Sequence, residues 1–257
     1  VWGYNNNGQL GIGNTTNQST PQEVTTVTFD GTGVGEIKKV QMLSRSSSLS
    51  VGILTERGTL YFAGYNNQGH FGNGNTTNLN TWTIAANGPG NAANADCENF
   101  WMGGNGDYAQ TWCIDSLGKL YCVGYNNHYS LGIGNNSQQS NWQTPKFQVN
   151  SSTQRDFHNV KQVSFYPHYN DNSTKVLLWD GHVFTTGDNR YGQASVGWSS
   201  TNSTNDRAAE NLKEHFNNGY FIQVRFPTSL TGNVDDLRGC GYGDNSDNVY
   251  AFWEYKS

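Results

Sequence analysis

A short phrase, Gly-Tyr-Asn-Asn-x-Gly/Tyr, occurs at residues 3–8, 64–69 and 124–129, and a weaker copy occurs at 187–192. Its leading glycines, Gly3, Gly64, Gly124 and Gly187, are 61, 60 and 63 residues apart. A near-constant period of tens of residues means one supersecondary unit used repeatedly, each copy burying its apolar face against the next. The period therefore decides the architecture before any single element is read. It also turns the functional question from catalysis toward surfaces.

Aligned copies give the same steps. A moderately apolar stretch (37–43, 97–102, 160–165, 234–240) is followed, after a polar gap, by a denser one (49–54, 111–114, 176–179, 249–253). A glycine-bearing turn follows at Gly58, Gly118 or Gly181, then a third run at 60–63, 120–123 or 183–186 that leads into the phrase. Glycine suits a turn position with positive φ, which other residues adopt only at a cost. The phrase continues with alternating small and apolar residues (8–14, 69–75, 129–135), which reads as a fourth strand. Its asparagines, Asn5, Asn66, Asn126 and Asn189, can hydrogen-bond nearby backbone and close the turn. Gly8, Gly11, Gly69, Gly72, Gly132 and Gly192 complete the structural motif. Four antiparallel strands per unit, repeated in series, make an all-β chain of β-propeller blades.

Composition agrees. Charged residues are only 14% of the chain, aromatics are 13%, and there are 31 glycines, which suits short strands and tight polar turns better than helices. The net charge of −5 argues against nucleic acid, and no apolar run is long enough to insert in a membrane. The first residue is Val1 rather than Met, so processed or further sequence is expected before it. Cys113 and Cys122 flank one expected hairpin; a disulfide across it and a pair of buried free thiols are both compatible with the spacing.

The stretch Trp2-Gly3-Tyr4-Asn5-Asn6-Asn7-Gly8-Gln9-Leu10-Gly11-Ile12-Gly13, with Pro21 and Val24 after it, resembles the repeat of the regulator of chromosome condensation family. The resemblance is strong in the first copy, good in the next two and poor in the fourth, where Gly192-Gln193-Ala194-Ser195 replaces the consensus. It implies a β-propeller, usually of seven blades. This chain departs from the family in holding about four units, in their longer spacing, and in lacking the histidine common between the first two strands. The expected organisation is a single propeller domain over 1–257, with units at about 37–96, 97–159, 160–233, and 234–257 joined with 1–36. One blade would thus be split between the N- and C-termini. A ring closed within the chain, a segment of a larger propeller, and two chains completing one ring all satisfy that phase.

Long connections run from each fourth strand to the next unit, and three of them carry tryptophan: Trp82, Trp142 and Trp198. Among Asn, Gln and Ser these are candidate ligand-binding rings, with packing as loop anchors the alternative. A short helix is expected near 205–217 within an insertion at about 198–232, followed by an extra strand at 220–226.

Chemistry-bearing motifs are missing: the six histidines show no paired metal spacing, and no nucleophile elbow or phosphate-binding loop occurs. No catalytic residue, metal or cofactor is expected, and the oxygen-rich run 243–248 reads as a polar turn. The expected function is a non-catalytic recognition module displayed outside the cell or on a virion, such as a phage tail fibre or surface adhesin. Its partner would be a host-surface glycan or protein. Alternatives are a structural part packed against neighbouring virion or surface proteins, as an oligomer, and the activities the resemblance implies. Those are guanine-nucleotide exchange on a small GTPase, or inhibition of a secreted enzyme, as a similar bacterial propeller inhibits β-lactamase.

Overall fold

The structure, a computed structural model, describes residues 1–30, 33–45, 48–85, 88–91, 94–104, 107–150, 152–168, 171–187, 219–224, 233–242 and 249–256. The first sheet consists of β1 (Ile37–Arg45), β2 (Ser48–Thr55), β3 (Leu60–Gly64) and β4 (Leu79–Ile84), hydrogen-bonded in that order. Two-residue strands β5 (Gly90–Asn91) and β6 (Asn94–Ala95) form a small hairpin after it. The second sheet repeats the meander with β7 (Cys97–Gly103), β8 (Gln110–Asp115), β9 (Leu120–Gly124) and β10 (Gln139–Gln143). A hairpin of β11 (Lys146–Asn150) and β12 (Thr153–Asp156) leads to the third sheet, β13 (Val160–His168), β14 (Asp171–Leu178), β15 (Val183–Gly187) and β16 (Ile222–Gln223). Strands β17 (Asn233–Tyr242) and β18 (Val249–Lys256) pair as a two-stranded sheet. Three successive antiparallel four-stranded meanders are the blades of a β-propeller.

The first three strands of each blade fall where the apolar runs place them. The fourth does not. The glycine phrase is a turn, and the outer strand lies downstream, in what reads as connecting loop: β4 pairs with β3 through Tyr61–Ile84, and β10 with β9 through Gln139–Gly124. The cause is conformational, because Gly8, Gly11 and Gly13 have φ of +81°, +65° and +85°, left-handed values incompatible with a strand. Of the run at 220–226, residues 222–223 form β16, which is no extra strand: it pairs through Ile222–Thr185 and completes the third blade, while 225–226 lie outside the described residues. The helix expected near 205–217 lies outside the described residues.

The chain divides into two compact units. The first comprises Val1–Ser116, Tyr121–Tyr125 and Gln138–Gln143, and the second comprises Leu117–Leu120, Asn126–Ser137 and Thr144–Ser257. In the first unit, Leu54, Leu60 and Phe62 of one blade close on Phe100, Cys97 and Cys113 of the next, with Phe71 stacked on Phe62 at 5.0 Å. The opposite face of the first sheet, Val51, Ile53, Tyr61 and Ala63, is covered by Val24, Val27, Phe29 and Val34. The second unit is centred on Phe157, whose ring lies 5.1–5.3 Å from those of Phe147, Phe184 and Phe221. Burial of large rings of this kind supplies most of the stabilisation available to such small sheets.

Cys113 and Cys122 are both buried free thiols, so the possible bridge between them is not made. Burial, together with a hydrogen bond to Cys97, pushes the Cys113 thiol well above its ordinary range, and burial does the same for Cys122. Thiols held this strongly in the neutral form act as small apolar side chains.

Candidate functional site

The tryptophans singled out as candidate ligand-binding rings have other occupations. Trp82 sits on β4 at 8% exposure, and a Cβ added to Gly11 would overlap its indole. Trp142 on β10 is half-buried, and Gly72 and Gly88 both lie against its indole so closely that neither could carry a Cβ. Phe221 stands against Gly132 in the same way. The first three phrases are thus locked onto the following blade, at β4, at β10 and at the segment that enters β16. The locks are fixed by backbone bonds: the Gly13 N–H donates to Asn80 O at 2.8 Å, Gly74 to Ser140 O at 2.8 Å, and Gly134 to Gly219 O at 3.0 Å. Trp198 lies outside the described residues. The third member of the set is Phe221, a ring of a different residue type in the equivalent place.

The asparagines of the phrase are turn hubs. Asn5, Asn66 and Asn126 are fully buried, and their Oδ1 atoms accept from the N–H of Leu10, Phe71 and Leu131 at 2.9, 3.1 and 2.9 Å. Their amides donate to backbone carbonyls nine residues on, at Asn14, Asn75 and Asn135 (2.9, 3.1 and 2.8 Å), and to Thr16, Thr77 and Ser137. All this hydrogen-bonding capacity is directed inward, which makes the side chains structural. Gly3, Gly64, Gly124 and Gly187 enter the turns at φ of +113°, +105°, +113° and +98°. Gly8 and Gly69 pack on Asn80 and Ser140 with no room for a Cβ. Asn189 and Gly192 lie outside the described residues, as does the run 243–248.

His70 occupies the position of Gln9 and Ser130 in the other copies and is fully buried, with Nε2 3.0 Å from Ser50 Oγ. The Ser50 hydroxyl donates to Tyr65 O at 2.6 Å, so the imidazole is the donor in the pair and Nδ1 is left without a partner. Burial drives its pKa down to about 3. The ring is a neutral packing element there.

What faces solvent is different. Leu117, in the β8–β9 turn, is 76% exposed, and Trp179, at the β14–β15 turn, is 69% exposed. Both belong to the second unit and are tied through one segment: the Val160 N–H donates to Gly118 O at 3.2 Å, and the Trp179 N–H donates to Asn159 O at 3.0 Å. Asn159 adopts a left-handed φ of +57° at this junction. Lys161 Nζ lies 5.1 Å from the Trp179 ring centroid. Asp180 and His182 pair at 3.0 Å beside it; partial burial raises the Asp180 carboxyl, but hydrogen bonds from His182 outweigh that and hold it below its usual range. At the Trp179 tip an exposed indole stands with a cation, an acid and an imidazole, so it offers apolar contact and polar orientation together. Among the described residues, no group of three or more metal-ligating side chains converges.

Comparison with known proteins agrees with the repeat. Residues 1–42 match the regulator of chromosome condensation (RCC1) repeat. The ultraviolet-B receptor UVR8 of Arabidopsis thaliana is 26% identical over 196 residues, which are 76% of this chain and 38% of that protein. Among solved structures, human WBSCR16 overlays with a TM-score of 0.48 at 15% identity, covering 98% of this chain and 66% of that one. Prp20p of Saccharomyces cerevisiae, in a structure reported with its binding properties to Gsp1p and histones, overlays at 0.43 with 14% identity, covering 93% of this chain and 60% of that one. The chain therefore spans less than two thirds of the length of each of these proteins, and the blade assignment rests on its own strand pairing.

Proposed function

From a chain of regulator-of-chromosome-condensation-type repeats, we propose a protein-recognition scaffold that acts by binding, with Leu117 and Trp179 at the centre of its contact surface. The observation that carries this reading is the placement of these two large apolar side chains, 76% and 69% exposed, on hairpin tips of successive sheets joined through Asn159. A tryptophan and a leucine presented on hairpin tips supply the large apolar contacts that protein partners cover. A protein is favoured over a glycan, because Trp82 and Trp142, two of the three rings named as candidate ligand contacts, are committed to Gly11 and Gly72.

Guanine-nucleotide exchange on a small GTPase is the second reading, favoured by the repeat match over residues 1–42. Display on a cell surface or virion is supported by the polar, weakly charged loops, with only 14% charged residues in the chain.

The test is capture followed by titration. The immobilised chain and its Leu117→Ser/Trp179→Ala variant are offered extracts, with Gsp1p-like GTPases and histones as defined baits, and captured proteins are titrated singly. The proposal expects a partner that binds the parent chain and loses affinity at least tenfold for the variant. Equal binding by both would move the contact elsewhere, accelerated nucleotide release would select the exchange reading, and retention of host-surface glycan alone would select the adhesin reading.

A further inference from the structure

We propose that Tyr65, Asp107, Tyr108 and Tyr125 form a binding spot for an arginine side chain presented by a protein partner. All four belong to the first compact unit, whereas Leu117 and Trp179 belong to the second. The repeated phrase carries a tyrosine whose side chain its turn does not use. In the first three copies the glycine before it sets the left-handed entry, and the asparagine after it is the buried hub. The tyrosine itself serves through its backbone. The Tyr65 and Tyr125 N–H groups donate to Leu49 O at 2.8 Å and Ala109 O at 2.9 Å, and their carbonyls accept from Ser50 Oγ at 2.6 Å and Gln110 Nε2 at 2.7 Å. Any residue but proline supplies those groups. At Tyr4, the same position in the first copy, the residue is 40% exposed, and its hydroxyl accepts from Asn6 Nδ2 at 2.7 Å. The ring at this position is therefore a surface feature.

In the next two copies that position is built into a cluster. The Tyr65 hydroxyl donates to Asp107 Oδ1 at 3.4 Å. The Tyr108 and Tyr125 rings meet edge to face, their centroids 4.9 Å apart and their planes at 80°. Asp107 and Tyr108 are adjacent in the chain just before β8, so they join Tyr65 of one blade to Tyr125 of the next. Asp107 is exposed and the three tyrosines are half-buried, held by the fold yet open to a ligand.

The chemistry of the cluster selects a cation. Aromatic faces carry negative charge density, and a carboxylate is an acceptor for several donors at once. The Tyr65 hydroxyl orients the Asp107 carboxylate by donating to it. A guanidinium suits such a pair better than an ammonium. Its plane lies on an aromatic face while its N–H fork reaches a carboxylate, and it gives up water more readily. Tyrosines offer this contact at small entropic cost, having only two side-chain torsions. The net charge of −5 favours the approach of a basic partner.

The experiment is a nuclear magnetic resonance titration of the whole chain, its tyrosine rings labelled with carbon-13, against an acetylated and amidated peptide of alternating arginine and glycine. Ring signals of Tyr65, Tyr108 and Tyr125, assigned through single Tyr→Phe variants, are expected to shift saturably while the Tyr4 signal stays in place. Exchanging arginine for citrulline keeps the shape and removes the charge, and should weaken binding at least about tenfold. Asp107→Asn should weaken it by a similar factor and, at an exposed position, leave the far-ultraviolet circular dichroism unchanged. A lysine version of the peptide should bind severalfold more weakly than the arginine one. Rings that do not move, equal affinity for the citrulline or lysine peptide, or indifference to Asp107→Asn would each overturn the proposal. Movement of the same rings with a neutral oligosaccharide, and not with the arginine peptide, would overturn it in favour of a glycan site.

Discussion

Trp82 lies on Gly11 with its indole nitrogen too close to leave room for a β-carbon, so the glycine is required twice, for its φ of +65° and for its missing side chain. The pair fastens the phrase at the head of the chain to the outer strand of the following blade. Trp142 on Gly72 and Phe221 on Gly132 repeat the arrangement.

Trp82→Ala removes a nearly buried ring and should destabilise folding by about 3–5 kcal/mol. Gly11→Ala, which introduces both strain and overlap, should cost about 1–3 kcal/mol. Because the alanine methyl has room once the indole is gone, the double variant should lose less than the two single losses added together, by about 1 kcal/mol. Urea unfolding of the four proteins measures this; strict additivity would show that the two residues do not share a contact.

Asn66→Ala strands the Phe71 N–H and the carbonyls of Asn75 and Thr77 inside a buried turn. A loss of about 2–3 kcal/mol is expected. Asn66→Asp keeps the acceptor but cannot donate to the two carbonyls, so it should recover only part of the loss. Denaturant midpoints decide; full recovery by aspartate would mean that the amide donors contribute nothing.

His70 makes stability depend on pH. Its pKa falls from 6.5 in the unfolded chain to about 3 in the folded one, so the folded state binds fewer protons. The stabilisation is complete above pH 6.5 and is lost progressively as pH falls from there toward 3. Over the whole interval the loss amounts to roughly 4–5 kcal/mol. His70→Gln, which places here the residue found at Gln9, should remove this dependence. The difference in unfolding free energy between parent and variant, followed from pH 7.5 to pH 4.5, should change by close to 1.4 kcal/mol per pH unit below pH 6. A flat difference would contradict the burial of the ring.

Trp179→Ala and Leu117→Ser act on exposed tips and should leave stability within about 0.5 kcal/mol of the parent. A thermal melt checks this. A much larger loss would make these side chains part of the fold rather than a contact surface.

The first three strands of every blade were legible because each is a short apolar run bounded by a turn, and the runs at 60–63 and 120–123 differ from β3 and β9 by a single terminal residue. The fourth strand was hidden for a definite reason. β4 and β10 read Leu-Asn-Thr-Trp-Thr-Ile and Gln-Ser-Asn-Trp-Gln, polar outer strands that carry one large anchoring ring rather than an apolar alternation. The apolar-small alternation of residues 8–14 imitates a strand, but its glycines are needed for left-handed turns. The ligand role considered for Trp82 and Trp142 had the same cause, since an aromatic ring in polar surroundings looks exposed until the glycine beneath it is seen. Leu117 and Trp179 left a fainter signal, two large apolar residues beside hairpin glycines.

Backbone amide hydrogen exchange, read residue by residue, tests the interlocking of blades most directly. The N–H groups of Gly13 and Gly74, donating to the following blade's outer strand, and of Gly134, donating to Gly219 just before β16, should exchange as slowly as the core amides of β2 and β8 and open only with global unfolding. Fast exchange at these glycines, at the rate of ordinary surface turns, would contradict the lock and the strand assignment built on it.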